Sequence, residues 1–145
     1  MKPPERACRF ITSNMAYYRH MDRKPCVVLI EDDDVLADLL VKRLTLQSID
    51  SVHYANGSDA VSGIPLLPHV DLILLDISLP DMDGFEVLKK LTPFQTTAQI
   101  PVIIVSNFSQ EADIAWGKKL GVKQFINKVS VSPIEIVDIV SKYTR

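Results

Sequence analysis

From Val27 onward the chain alternates two kinds of hydrophobic pattern. Short unbroken apolar runs, Val27–Ile30, Leu72–Leu75 and Val102–Val105, have the length and β-branched content of strands buried on both faces. Between them apolar residues recur every three or four positions, as on amphipathic helices. The pattern predicts a first strand over Cys26–Ile30, then a helix over Asp34–Gln47 with Leu36, Leu39, Leu40 and Leu44 on one face. A short second strand, Ser51–Ala55, runs into the turn at Asn56-Gly57. The second helix starts near Ser58 and is cut short by Gly63 and Pro65. A third strand, Asp71–Leu75, leads through the loop Asp76–Asp83, stiffened by Pro80, into a helix over Gly84–Leu91.

Pro101 precedes a fourth strand, Val102–Val105, and a helix over Gln110–Leu120 stops at Gly121, a suitable C-cap. This helix has two possible buried faces, Ala112, Ala115 and Trp116 or Ile114, Gly117 and Leu120. On the second, Trp116 is exposed and available to a partner. The fifth strand is Gln124–Asn127. The last helix opens on Ser132-Pro133-Ile134-Glu135, a capping box with proline at its first helical position, and carries the stripe Ile136, Ile139, Val140 and Tyr143. Five strands alternating with five helices specify an α/β fold, a doubly wound parallel sheet covered on both faces.

Composition narrows the function classes. A length of 145 residues suits one domain, and 47% hydrophobic with 23% charged residues suits a sizeable core under a soluble surface. A net charge of −2 argues against nucleic acid held by general electrostatics. No apolar run approaches the roughly 20 residues of a membrane span. Cys8 and Cys26 are too few for a disulfide framework and show no metal spacing, so a reduced, cytoplasmic protein is expected. Residues 1–24 stand apart: Lys2, Arg6, Arg9, Arg19, Arg23 and Lys24 against Glu5 and Asp22 give a formal balance of +4. They read as a basic extension, expected to be disordered, ahead of a domain over 25–145, and Met21 offers an alternative start. The sequence stops directly after the last helix, so no output domain is expected.

The chemistry is at the strand ends. Glu31-Asp32-Asp33-Asp34 follows the first strand and Asp76 the third. In a parallel sheet these acids meet at one edge, where open α/β sheets bind ligands. Like charges raise one another's proton affinity unless a cation sits among them, and Mg2+ prefers a few carboxylate oxygens with water and phosphate. Glu31, Asp32 and Asp76 therefore read as a metal and phosphate site. Asp33 and Asp34 read only as the acidic first turn of a helix. The fourth and fifth strands end in Ser106 and Lys128 at the same edge. His20, His53 and His69 show no ligand spacing and receive no role.

Four segments taken together carry a resemblance: Val27–Asp33, Leu75–Gly84 with Asp76, Pro80 and Gly84 in it, Pro101–Ser106, and Phe125–Lys128. In this order and spacing they resemble the receiver domain of two-component response regulators, over about residues 26–143. The resemblance implies a flavodoxin-like sheet of order 2-1-3-4-5. It implies that Asp76 accepts a phosphoryl group from a sensor histidine kinase or phosphotransfer protein. Mg2+ would be held by Asp32 directly, by Glu31 through water, by Asp76 and by the backbone carbonyl of Ser78. Lys128 and Ser106 would bind the phosphoryl oxygens. Ser106 and Phe125 would switch, changing the surface of the fourth helix, fifth strand and fifth helix for a downstream effector. Such a protein is no enzyme beyond its own phosphorylation and dephosphorylation, and Ser78 and Phe108 would influence how long the phosphoryl group lasts. A homodimer through the fourth and fifth helices is open, with no motif for it.

The sequence departs from the family pattern after Lys128, where Val129 replaces a proline that follows a cis peptide. A cis bond before a non-proline residue costs roughly 2.5–4 kcal/mol, so a trans link and a shifted loop are expected there. Phe125 replaces the commoner tyrosine and keeps only the ring, which serves equally as core filler. Two alternatives remain open. One is a degenerate receiver that binds protein without phosphorylation. The other, a phosphatase of the haloacid dehalogenase type, needs a second Asp two residues after the nucleophile, where this chain has Ser78.

Overall fold

Every strand of the computed structural model runs in the same direction, so every strand delivers its C-terminal residue to one edge of the sheet. The structure describes residues 23–93, 99–107 and 110–145; the expected extension up to residue 22, with Met21, and Phe108 lie outside these. The elements are β1 (Cys26–Ile30), α1 (Asp34–Leu46), β2 (Asp50–Tyr54), α2 (Gly57–Gly63), β3 (Leu72–Leu75), α3 (Gly84–Leu91), β4 (Val102–Ser106), α4 (Glu111–Lys119), β5 (Gln124–Asn127) and α5 (Pro133–Thr144). The sheet order is β2-β1-β3-β4-β5, all parallel. The 2-1-3-4-5 flavodoxin-like architecture expected from the sequence is the one observed.

The two-residue period of the strands divides the core. Val27, Leu29, Leu72, Leu74, Ile103 and Val105 face α1 and α5, while Val28, Ile30, Ile73, Leu75 and Ile104 face the helices of the other side. Each such side chain buried from water contributes about 1.5–3 kcal/mol. A strand covered on both faces has no room for a polar alternation, which is why β1, β3 and β4 are continuous apolar runs.

Helix ends follow their capping chemistry. Asp33 is the N-cap of α1 and accepts from the Val35 and Leu36 amides. At the other end Ser48 takes a left-handed conformation (φ 59°), and the Ser48 and Ile49 amides return to the Thr45 and Leu44 carbonyls. Gly121, at φ 84°, closes α4 in the same way, as its position predicts. α2 ends at Gly63, and Pro65 continues only as a 3₁₀ turn over Ile64–Leu66.

Two helix faces differ in detail from the sequence pattern, and a third resolves an alternative. In α1 the buried residues are Ala37, Leu40 and Leu44, while Leu39 is 39% exposed. In α5 Val137 is buried and Tyr143 is 40% exposed, its hydroxyl bonded to Gln124. In both, one residue of the apolar stripe is turned outward, because the buried arc is set by the neighbouring sheet and helix. α4 buries the second of its two alternative faces: Gly117 is buried and Ile114 and Leu120 are partly so. Trp116 therefore stands at the surface, with the Lys89 ammonium of α3 5.1 Å from its ring centroid.

Candidate functional site

The register of β1 and β3 pairs Ile30 with Leu75, so the next residues, Glu31 and Asp76, emerge side by side. The Asp76 amide donates to the Ile30 carbonyl at 3.0 Å and fixes the exit of β3. Carboxylate oxygens of Glu31, Asp32 and Asp76 lie within 4.8 Å of one another. Glu31 and Asp76 are buried and Asp32 is exposed.

Lys128 sits among them. Its Nζ donates to Glu31 Oε2 at 2.6 Å and to Asp76 Oδ2 at 2.8 Å. The remaining oxygen of each acid is bound by its own loop: Asp33 N–H donates to Glu31 Oε1 and Ser78 N–H to Asp76 Oδ1, each at 3.0 Å. Burial alone would lower the Lys128 pKa, but bonds to Asp76 and Glu31 outweigh it and hold the ammonium above its ordinary value. Burial likewise pushes the Glu31 carboxyl up, against the hydrogen bond from Lys128 that pulls it down. Three carboxylates against one ammonium leave an acidic pocket, and its all-oxygen donor set suits a hard divalent cation such as Mg2+.

The link after Lys128 is trans, as expected from Val129, for the described residues contain no cis peptide. The lysine nevertheless reaches both acids. Ser106, the last residue of β4, is fully buried, and its carbonyl accepts the Lys128 amide at 3.0 Å. Phe125 is half-buried on the second core cluster, beside Gly117 of α4, where an added Cβ would come within 3.6 Å of the ring.

The loop after Asp76 is held on three sides. Ser78 forms an antiparallel bridge with Asp83, and the Gly84 amide donates to the Ile77 carbonyl at 2.8 Å. Gly84 has to lack a side chain, since a Cβ would stand 2.5 Å from the Asp76 carbonyl oxygen. Asp83 caps α3 through Phe85 N–H. The Asp81 carboxylate accepts from the Gly57 and Ser58 amides, each at 2.8 Å, tying the loop to the start of α2. Those two bonds hold the Asp81 carboxyl below its ordinary value.

Sequence reasoning assigned no role to three residues that support the site. Asp81 lies within a quoted motif, but its partners are two strands away and leave no mark on the sequence. His53 Nε2 donates to the Glu31 carbonyl at 2.6 Å, where the β1–β2 ladder ends. The signal for it was register: His53 pairs with Leu29, two residues short of Glu31. Asn127 accepts the Val129 amide through Oδ1 at 2.9 Å.

Comparison with known proteins agrees with this geometry. The family model described as response regulator receiver domain matches residues 27–141. PilH of Pseudomonas aeruginosa is 30% identical over 102 residues, covering 70% of this chain and 84% of that protein. The transcriptional regulatory protein AfsQ1 of Streptomyces coelicolor is 35% identical over 106 residues, 72% of this chain but only 44% of AfsQ1. The phosphorylated cyanobacterial phytochrome response regulator RcpA superposes with a TM-score of 0.73 at 26% identity, covering 84% of this chain and 94% of RcpA. A parallel 2-1-3-4-5 sheet with acids at the ends of β1 and β3 and a lysine after β5, matched over nearly all of the described residues, places this chain in the response regulator receiver domain family of two-component systems.

Proposed function

We propose that the protein is a phosphoacceptor receiver in which Asp76 takes a phosphoryl group from a phosphohistidine on a sensor histidine kinase or phosphotransfer protein. The observation that carries this is the placement of Asp76, a buried carboxylate 2.8 Å from the Lys128 ammonium beside Glu31 and Asp32. An Asp76 oxygen attacks phosphorus, the P–N bond to the imidazole breaks, and the product is an acyl phosphate. Water attacking phosphorus later returns the carboxylate and inorganic phosphate. Protein groups contribute mainly position and charge to such a transfer. Lys128 meets the phosphoryl oxygens with a compact positive charge, and the Ser106 hydroxyl donates to them. Asp32, Asp76, the Ser78 carbonyl and, through water, Glu31 would hold Mg2+, which when bound neutralises charge on the transferring group.

Phosphorylation then biases a packing equilibrium. Ser106 and Phe125 serve as the switch pair, and the altered face of α4, β5 and α5 meets a downstream effector or a second copy of the chain. This reading has the protein act in the cytoplasm with protein partners, on neither nucleic acid nor membrane, and turn over no separate substrate. Among the described residues no helix is long and apolar enough to cross a membrane. Because the chain spans under half of longer relatives such as AfsQ1, their output activities are not carried over. The alternative, a degenerate receiver that binds protein without phosphorylation, rested on a displaced lysine, and the reach of Lys128 favours the active form.

The test is incubation with acetyl phosphate and Mg2+ followed by intact mass. The wild type gains one phosphoryl group, and Asp76→Ala, or the wild type with the metal chelated, gains none. A wild type that stays unmodified and also fails to bind beryllium fluoride would establish the degenerate module instead.

A further inference from the structure

Lys128 reaches its two carboxylates from a turn that the side chain of the preceding residue holds together. The Val129 N–H donates to Asn127 Oδ1 at 2.9 Å, and the Ser130 N–H donates to the Asn127 carbonyl at 3.1 Å. Together these bonds close an Asx turn around Lys128. On its other side the Lys128 N–H is taken by the Ser106 carbonyl at 3.0 Å, so the β4–β5 ladder ends on the lysine itself. Val129 contributes nothing by packing, because its side chain is 82% exposed. The next residue anchored by apolar contact is Val131, partly buried against the α1 and α5 core. The Asn127 amide is thus a side chain bonded directly to the turn.

We propose that Asn127 is the positioning residue for Lys128 in this chain. Its Oδ1 fixes the direction in which the backbone leaves β5, and that direction decides whether a four-carbon stem lands between Glu31 and Asp76. The pair is specific to residue type on both sides. Proline at 129 has no N–H to donate, and alanine at 127 has nothing to accept it. An asparagine at a strand end is commonly a simple turn former; here the residue enclosed by the turn is the cation of the site. The proposal rests on the phosphoacceptor reading only for its consequence in catalysis, and the placement itself can be measured without phosphoryl transfer.

The experiment compares wild type, Asn127→Ala and Asn127→Asp, the last keeping the acceptor oxygen. Brief treatment with an amine-acylating reagent, mapped by peptide mass, reads how well Lys128 is held. Alkylation of Cys26, a buried free thiol at the far end of β1, reports general loosening of the fold. Lys128 is expected to acylate several-fold faster in Asn127→Ala and at the wild-type rate in Asn127→Asp, with Cys26 unchanged in both. Phosphorylation of Asp76 by acetyl phosphate should slow by about tenfold in Asn127→Ala and recover in Asn127→Asp, since small misplacements of a catalytic group are costly. Unchanged acylation in Asn127→Ala, equal acylation in both variants, or a parallel rise at Cys26 would each overturn the proposal. The expected acylation pattern with no phosphorylation of the wild type would support the placement and sink the phosphoacceptor reading.

Discussion

Asp81 shows how a single exposed carboxylate can organise the site without belonging to it. It binds the first two amides of α2 while sitting in the loop that follows Asp76, so two segments far apart in sequence share one anion. Accepting two N–H bonds favours the ionised form and lowers the carboxyl from its ordinary value of 3.8. The folded state then releases this proton more readily than the unfolded chain. The stabilisation is therefore complete above the ordinary value and lost as pH falls through the lowered one. Asp81→Asn, which keeps one acceptor and loses the charge, should melt below the wild type at pH 7. The two melting curves should converge as the buffer is taken below pH 4, and a gap that stays constant with pH would refute the charged role. Glu31, Asp32 and Asp76 were legible in the sequence because strand-end acids stand out against apolar runs. Asp81 and His53 were not, because each acts on a backbone group that is distant in sequence and comes near only once the strands are in register. Asn127 was missed for another reason, since its bond is local but an asparagine at a strand end is an ordinary turn former.

Helix α1 carries the same lesson at the level of an element. Leu36, Leu39, Leu40 and Leu44 all fit a helical stripe, and four leucines in nine residues leave the centre of the stripe ambiguous by about one position. Packing against the sheet and α5 resolves it by burying Ala37, with 0% exposure, and turning Leu39 toward solvent. A small residue on the sheet-facing line lets the helix approach closely, and neither hydrophobicity nor spacing reveals which residue takes that line. The energetic consequence separates the two adjacent leucines. Leu40 is 3% exposed, so Leu40→Ala empties a packed site and should cost about 2–5 kcal/mol. Leu39→Ala should cost clearly less, since Leu39 is 39% exposed and its truncation leaves a site open to water rather than a closed cavity. Chemical denaturation of the two variants would check this, and equal losses would mean that Leu39 is covered in solution. Caps were read more successfully than faces, because Ser132, Glu135 and Gly121 signal through their own chemistry and need no knowledge of a neighbour; Asp33, read only as a first-turn acid, is the N-cap of α1.

The whole molecule is a sheet whose topology creates a charge problem at one edge. Alternating strand and helix patterns were enough to read the parallel sheet and the meeting of acids, because parallel strands must end together. How the charges settle was not legible: the sequence placed Lys128 near a phosphoryl group, whereas the structure has it neutralising Glu31 and Asp76 directly. Lys128 and a divalent cation thus serve the same carboxylates, and each should matter more when the other is missing. In Lys128→Ala without metal, Glu31 and Asp76 are left buried beside each other with no counter-charge, a loss of about 3 kcal/mol. A metal that binds only the folded state restores stability by mass action, about 2.7 kcal/mol at one hundred times its dissociation constant. Removing the ammonium also removes a competitor for the oxygens, so Lys128→Ala should bind Mg2+ more tightly than the wild type. Thermal melts with and without Mg2+ should accordingly show a larger metal-induced rise for Lys128→Ala than for the wild type, and none for Asp32→Ala combined with Asp76→Ala. Equal rises in wild type and Lys128→Ala would show that lysine and metal do not share the carboxylates, and the electrostatic account of the site would have to be rebuilt around Asp32 alone.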